Sequence, residues 1–174
     1  MPKCLNVKMT KYGFTLMEAI VAIFVITTGI VGVLSLVTQT ISSATFSKDK
    51  LIAAYLAQEG IEIVRNIRDT NWLEGGSNPW NEGLDTCSGG CIADYTYSQQ
   101  VDPTLLAYTG QFLNIDASGY YGYSGVTPNK FQRKITISDG PISGSSLNIK
   151  VEVFWQEKGT LHTVEAQENL YNWK

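Results

Sequence analysis

Three patterning regimes divide the chain. Residues 1–12 carry Lys3, Lys8 and Lys11 and no acid. From Phe14 to Val37 run 24 nearly all apolar residues with one formal charge, Glu18. As a helix this stretch is about 36 Å long, enough to cross a hydrocarbon core of about 30 Å. After Val37 the composition turns mixed, and no proline occurs between Val37 and Pro79. From Ile52 onward, Leu56, Gly60, Ile63 and Ile67 recur at steps of three and four, with Ala53, Ala57 and Val64 alongside. Gln58, Glu59, Glu62, Arg65, Arg68 and Asp69 fill much of the remainder. This period predicts a helix. One long helix is therefore expected from Phe14 to about Thr70, with a membrane half at 14–37 and an amphipathic half at 38–70.

Beyond the helix the period changes. Asn71 to Gly90 is rich in Gly, Asn, Ser and acids and reads as a long irregular connection. Phe112–Ile115 and Tyr120–Tyr123 flank Asp116-Ala117-Ser118-Gly119 and predict a hairpin. Phe131, Ile135 and Ile137 alternate with polar residues. So do Leu147, Ile149, Val151, Val153 and Trp155. Glu157-Lys158-Gly159 reads as a turn, and Leu161 to Ala166 as a last strand. One apolar face per strand implies an antiparallel sheet with one side on a core. The amphipathic helix half is the obvious cover. The expected fold class is α+β: a long N-terminal helix packed on an antiparallel sheet, with loop and sheet formed by residues 71–174.

Charge then changes the picture at the N-terminus. A basic, acid-free leader stays on the cytoplasmic side, so the sheet domain is expected outside. A carboxylate at a membrane entrance is costly and usually has a named partner. The helix dipole offsets only about 0.3–1 kcal/mol for Glu18 in a first turn. An amine is the natural partner. Gly13, a small residue ending the leader, suggests a processing site, and a cut after it makes Phe14 a new N-terminus.

The stretch Gly13-Phe14-Thr15-Leu16-Met17-Glu18-Ala19-Ile20, behind three leader lysines, closely resembles the N-terminal signature of type IV pilins and pseudopilins. The resemblance is strong over residues 8–70 and general beyond. It implies a pilin-like fold and a prepilin leader peptide at residues 1–13. It implies cleavage by a prepilin peptidase between Gly13 and Phe14, N-methylation of Phe14, and Glu18 as the assembly carboxylate. The implied partners are the peptidase, other pilin subunits of a filament, an inner-membrane assembly platform, and the lipid bilayer before assembly. The implied location is the cytoplasmic membrane, single-pass with the N-terminus inside, then an extracellular or periplasmic filament. Ala53 to Trp72 resembles minor pilins similar to pilus modification proteins and one class of pseudopilin, which favours a minor subunit. A type II secretion pseudopilin and a membrane-anchored extracytoplasmic binding protein are the alternatives. A cleaved secretory signal would have a shorter apolar core, with only Ser42-Ser43-Ala44 as a weak cleavage candidate.

The remaining chemistry is sparse. Without residues 1–13 the chain has 10 Lys and Arg against 16 Asp and Glu, a formal −6. That argues against a nucleic-acid footprint over the whole surface. Cys4 lies in the leader. Export would favour a disulfide between Cys87 and Cys91 across Ser-Gly-Gly. Two free thiols are the alternative, and zinc lacks a second ligand pair. His162 reads as a surface residue. No nucleophile–His–acid set, P-loop or dinucleotide motif appears, so no enzyme, cofactor or metal is expected. Asn114 to Gly119 resembles the opening of a calcium loop, but position 125 is Gly rather than the closing glutamate; a hairpin turn explains the same residues. Arg133, on an apolar strand face, either reaches solvent at an edge or pairs with Glu59 or Glu62. Trp72 and Trp80 either plug the helix–loop seam or bind a ligand. Tyr95, Tyr97, Tyr108, Tyr120, Tyr121 and Tyr123 cluster without selecting one. Gly29 and Gly32 mark either close helix packing or a segment that loosens on assembly.

Overall fold

The computed structural model describes residues 13–74, 79–84, 87–97 and 105–173. Its elements are α1 (Leu16–Glu74), β1 (Cys91–Ile92), β2 (Leu106–Ala107), β3 (Phe112–Ile115), β4 (Tyr121–Gly122), β5 (Thr127–Asp139), β6 (Ser146–Glu157) and β7 (Thr160–Tyr171). The fold is α+β: a long N-terminal helix and an antiparallel sheet. The chain divides into two compact units, residues 1–45 and 46–174. Residues of α1 occur in both, and each unit is described by itself.

In the first unit, α1 is long and apolar enough to cross a membrane, and none of its most apolar window is buried. Several of its hydroxyls are satisfied within the helix. Thr28 Oγ1 donates to the Phe24 carbonyl at 2.8 Å, Thr40 to Leu36 at 2.8 Å and Thr45 to Ile41 at 3.0 Å. Such back-bonding removes the cost of a hydroxyl in an apolar medium. Gly29 and Gly32 lie inside the helix with open space where a Cβ would point.

In the second unit, α1 from Phe46 onward covers the sheet. β5, β6 and β7 form an antiparallel meander, with β5–β6 paired from Gln132↔Phe154 to Asp139↔Leu147 and β6–β7 from Ser146↔Tyr171 to Glu157↔Thr160. Lys158 and Gly159 close the β6–β7 turn with φ of 50° and 82°, positive at both positions as a two-residue type I′ turn demands. The other edge of β5 pairs with β3 and, at Ile135, with β1. The inward positions Phe131, Ile135, Ile149, Val151 and Val153 meet Ala53, Leu56, Ala57, Val64 and Ile67 in one core. Gly60 permits the contact: a Cβ there would lie 2.8 Å from Val151 Cγ1 and 3.2 Å from Arg133 Cδ.

Several features differ from the sequence-based expectation. The helix runs to Glu74 rather than Thr70, because Trp72 packs its last turn against Trp80 and Trp173. β7 continues past Ala166 to Tyr171. Its alternation is obscured by Glu168, an acid held by Arg65 of the helix at 2.6 and 2.7 Å. β1 and β2 are two residues each, too short to show a period.

Candidate functional site

Residues 13–15 precede the helix, and Thr15 caps it. The Glu18 amide donates to Thr15 Oγ1 at 3.3 Å, and the Ala19 amide donates to the Thr15 carbonyl at 3.1 Å. Thr15-Leu16-Met17-Glu18 thus has the spacing of a capping box, with the acid at the third helical position. Glu18 is exposed and lies in the first turn. Phe14 is 80% exposed. A Cβ added at Gly13 would have no heavy atom within 4 Å. A shallow apolar groove of about 760 Å3 runs along Phe14, Met17, Glu18, Val21, Ala22, Val25 and Ile26. Gly29 makes a second dent of about 360 Å3 with Ile26, Ile30, Val33 and Leu34. The Thr15 cap is a feature that sequence reasoning missed, although its S/T-x-x-E pattern is legible there. Residues 1–12, with the leader lysines and Cys4, lie outside the described residues.

Cys87 and Cys91 are joined by a disulfide, with Cα atoms 5.4 Å apart. Both are buried. The Cys87 carbonyl accepts from Gly90 N at 3.0 Å and from Ile137 N at 3.2 Å, tying the small loop to β5. Gly90, at φ +100°, leaves no room for a side chain beside Lys134.

Arg133 is fully buried, and the solvent-edge alternative does not hold. Its Nη1 donates to the Leu56 carbonyl at 3.1 Å and stands 3.4 Å from Glu59 Oε1. Its Nη2 donates to the Ala93 carbonyl at 2.5 Å. Of the two expected acids Glu59 is the partner, while Glu62 pairs with Arg65. Tyr123 OH donates to the Arg133 carbonyl at 3.3 Å. Burial pushes the Tyr123 phenol up to about 12, with Arg133 pulling the other way. Sequence reasoning missed two buried acids. Asp94 accepts from Thr96 N, Thr96 Oγ1 and Tyr123 N at 3.0, 2.6 and 2.9 Å. Asp49 accepts from Lys130 at 2.5 Å. The Asp94-x-Thr96 spacing of an Asx turn is the only local signal for the first. Nothing local signals the second, whose partner lies in β5.

The other candidates resolve into packing. Asp116 accepts from Ser118 N at 2.8 Å, Tyr120 N at 2.9 Å and Tyr95 OH at 2.6 Å, the bonds of a hairpin turn. The Tyr95 hydroxyl first, and the Tyr120 amide next, hold its carboxyl below the usual range. Trp72 plugs the seam: it lies 6.5 Å from Trp80 and 4.4 Å from Trp173, with Arg68 4.5 Å above its ring. His162 is not a free surface residue. It is half-buried, stacked on Trp155 at 5.3 Å and edge-on to Phe46 at 5.0 Å. Tyr95 packs on Tyr120 and Tyr121 on Phe131. No protein family, curated protein or solved structure matches the chain.

Proposed function

We propose that the chain is a structural subunit, a minor pilin, of a type IV pilus or related filament. A prepilin peptidase removes residues 1–13 and methylates Phe14. The processed subunit rests in the cytoplasmic membrane through residues 14–37 and then enters an extracellular or periplasmic filament. The observation that carries this reading is the coincidence at one helix start. A basic leader, Gly13, an exposed Phe14 and a capping Thr15 precede an apolar helix that carries an exposed Glu18 in its first turn and has no partner among the described residues of its own unit. Glu18 is the only formal charge in that segment, and pairing with the Phe14 amine of a neighbouring subunit offsets its cost in the membrane.

The test is the intact mass of the chain purified from membranes that contain a prepilin peptidase. Loss of residues 1–13 with gain of one methyl group is expected, and Gly13→Ala retains the full leader. A full-length mass, or a cut near Ala44, overturns the assignment. Glu18→Ala is expected to insert and be cleaved normally but to enter filaments poorly. Normal incorporation removes the assembly role from that carboxylate.

A further inference from the structure

A strap formed by residues 87–94 crosses the edge of β5 that β6 leaves free. On that edge β3 pairs with β5 between Thr127 and Gln132. Beyond Gln132, the backbone partners that the described residues supply are the two cysteines themselves. Cys91 pairs with Ile135, and the Cys87 carbonyl accepts from Ile137 N at 3.2 Å. The far side of the strap takes β2 through Cys91↔Ala107 and Ile92↔Leu106, and Tyr108 N donates to the Gly90 carbonyl at 3.0 Å. Further along, the Ala93 carbonyl accepts from Arg133 Nη2 at 2.5 Å, and Asp94 accepts from Tyr123 N at 2.9 Å.

The cysteine end of this strap has little intrinsic order. β1 is two residues long, and Ser88-Gly89-Gly90 between the cysteines includes two of the residues that lose most conformational freedom on folding. The bond between Cys87 and Cys91 removes much of that freedom before docking, so the contacts at Ile135 and Ile137 are made together. Without the bond each contact must order its own part of the loop. In the docked strap both cysteines are buried, 0% and 2% exposed. Thiol–disulfide exchange depends on access to a sulfur, so the folded unit shields the bond it contains.

We infer that the Cys87–Cys91 bond is an oxidation-set latch on the β5 edge: formed while the strap is undocked, it closes the edge at Ile135 and Ile137 and is then sealed inside the unit. Forming it removes two protons and two electrons from the thiols, and an oxidant of the disulfide class takes up both. One Cys thiolate attacks the oxidant and expels one of its thiols, leaving a mixed disulfide. The other Cys thiolate attacks the bound Cys sulfur and expels the second thiol. A reducing compartment therefore leaves this edge open, and an oxidising one closes it. The open edge presents unpaired backbone groups of the kind that recruit a foreign strand, which the latched strap covers. The inference concerns the 46–174 unit alone and does not depend on the filament reading.

The experiment uses the full isotope-labelled chain in detergent with Cys4→Ser, so that Cys87 and Cys91 are its only cysteines. Dithiothreitol followed by a maleimide trap tests the shield. The native chain is expected to be reduced roughly tenfold or more slowly than the same chain in urea. Amide hydrogen exchange then compares the bonded chain with Cys87→Ala/Cys91→Ala. Exchange at Ile135 and Ile137 is expected to quicken by roughly tenfold or more in the variant. Lys134 and Thr136, whose amides face β6 by strand alternation, are expected to keep their protection. A chain reduced by unfolding and refolded without oxidant repeats the comparison with both cysteines in place, and is expected to behave as the variant does. Equal reduction rates in buffer and in urea refute the sealed bond. Unchanged exchange at Ile137 refutes the latch. So does loss of protection at Lys134 and Thr136 as well, because the bond then holds the whole sheet rather than one edge. Intact mass of the same samples reports leader removal, so a failed latch leaves the filament reading standing.

Discussion

Residues 16–45 and 46–74 are parts of one helical element, yet their apolar side chains meet different ends. Ile23, Val25 and Leu36 stay exposed, whereas Ala53, Leu56, Val64 and Ile67 are buried under the sheet. The difference lies in what the chain itself supplies. β5 and β6 present an apolar face at the right width for the second stretch, and nothing in the described residues of the first unit does so. An uncovered apolar surface of that length marks a membrane or protein contact. Polar groups follow the same division. Thr28 and Thr40 satisfy themselves on their own helix, while buried Arg133 draws on Leu56 and Glu59 of α1 and on Ala93 after β1, two other places in the chain.

The contrast can be broken most severely at Arg133. Arg133→Ala removes the partner of two buried carbonyls and opens a cavity, and is expected to cost about 3–5 kcal/mol. Chemical denaturation followed by tryptophan fluorescence reads this unit alone, because all four tryptophans lie beyond residue 46. A loss below about 1 kcal/mol would show that the guanidinium is dispensable there. Glu59→Gln should cost far less, since Glu59 remains about one-third exposed and is rehydrated easily.

A matched glycine pair sharpens the comparison at intermediate size. Gly60→Ala drives a methyl into Val151 and is expected to destabilise by about 1–3 kcal/mol. Gly29→Ala meets open space and adds helix propensity of about 1 kcal/mol in the isolated helix, leaving the denaturation curve unchanged. Equal effects at the two sites would erase the distinction between a packed and an unpacked helix face.

The smallest effect is alkaline. The Tyr123 phenol is raised from about 10 to about 12 by burial, so folding favours its neutral form. Its contribution is complete below the unfolded value and is lost as pH rises through about 12. Wild type should therefore lose stability between roughly pH 10 and 12 faster than Tyr123→Phe. Parallel pH profiles would mean that the phenol is hydrated in the folded state.

Local pattern is enough for much of this protein. Apolar run length sets the first half of the helix, the three-and-four spacing from Ile52 to Ile67 sets the second, and strict alternation sets β5 and β6. The Cys87–Cys91 bond is legible because its spacer is short and flexible. The Gly13–Phe14 junction and Glu18 stand out from residue order alone, since that motif is local. What needs tertiary structure are the pairs far apart in the chain. Glu59 rather than Glu62 serves Arg133 because Glu59 faces β5, and Glu62 is held by Arg65. His162 is drawn inward by Phe46, far away in the chain, and by Trp155 on the neighbouring strand. β7 outruns its readable alternation because Arg65 neutralises Glu168. Periodicity reports which face of an element is apolar. Which charges are buried, and with whom, depends on the distance between elements, which only the folded chain defines.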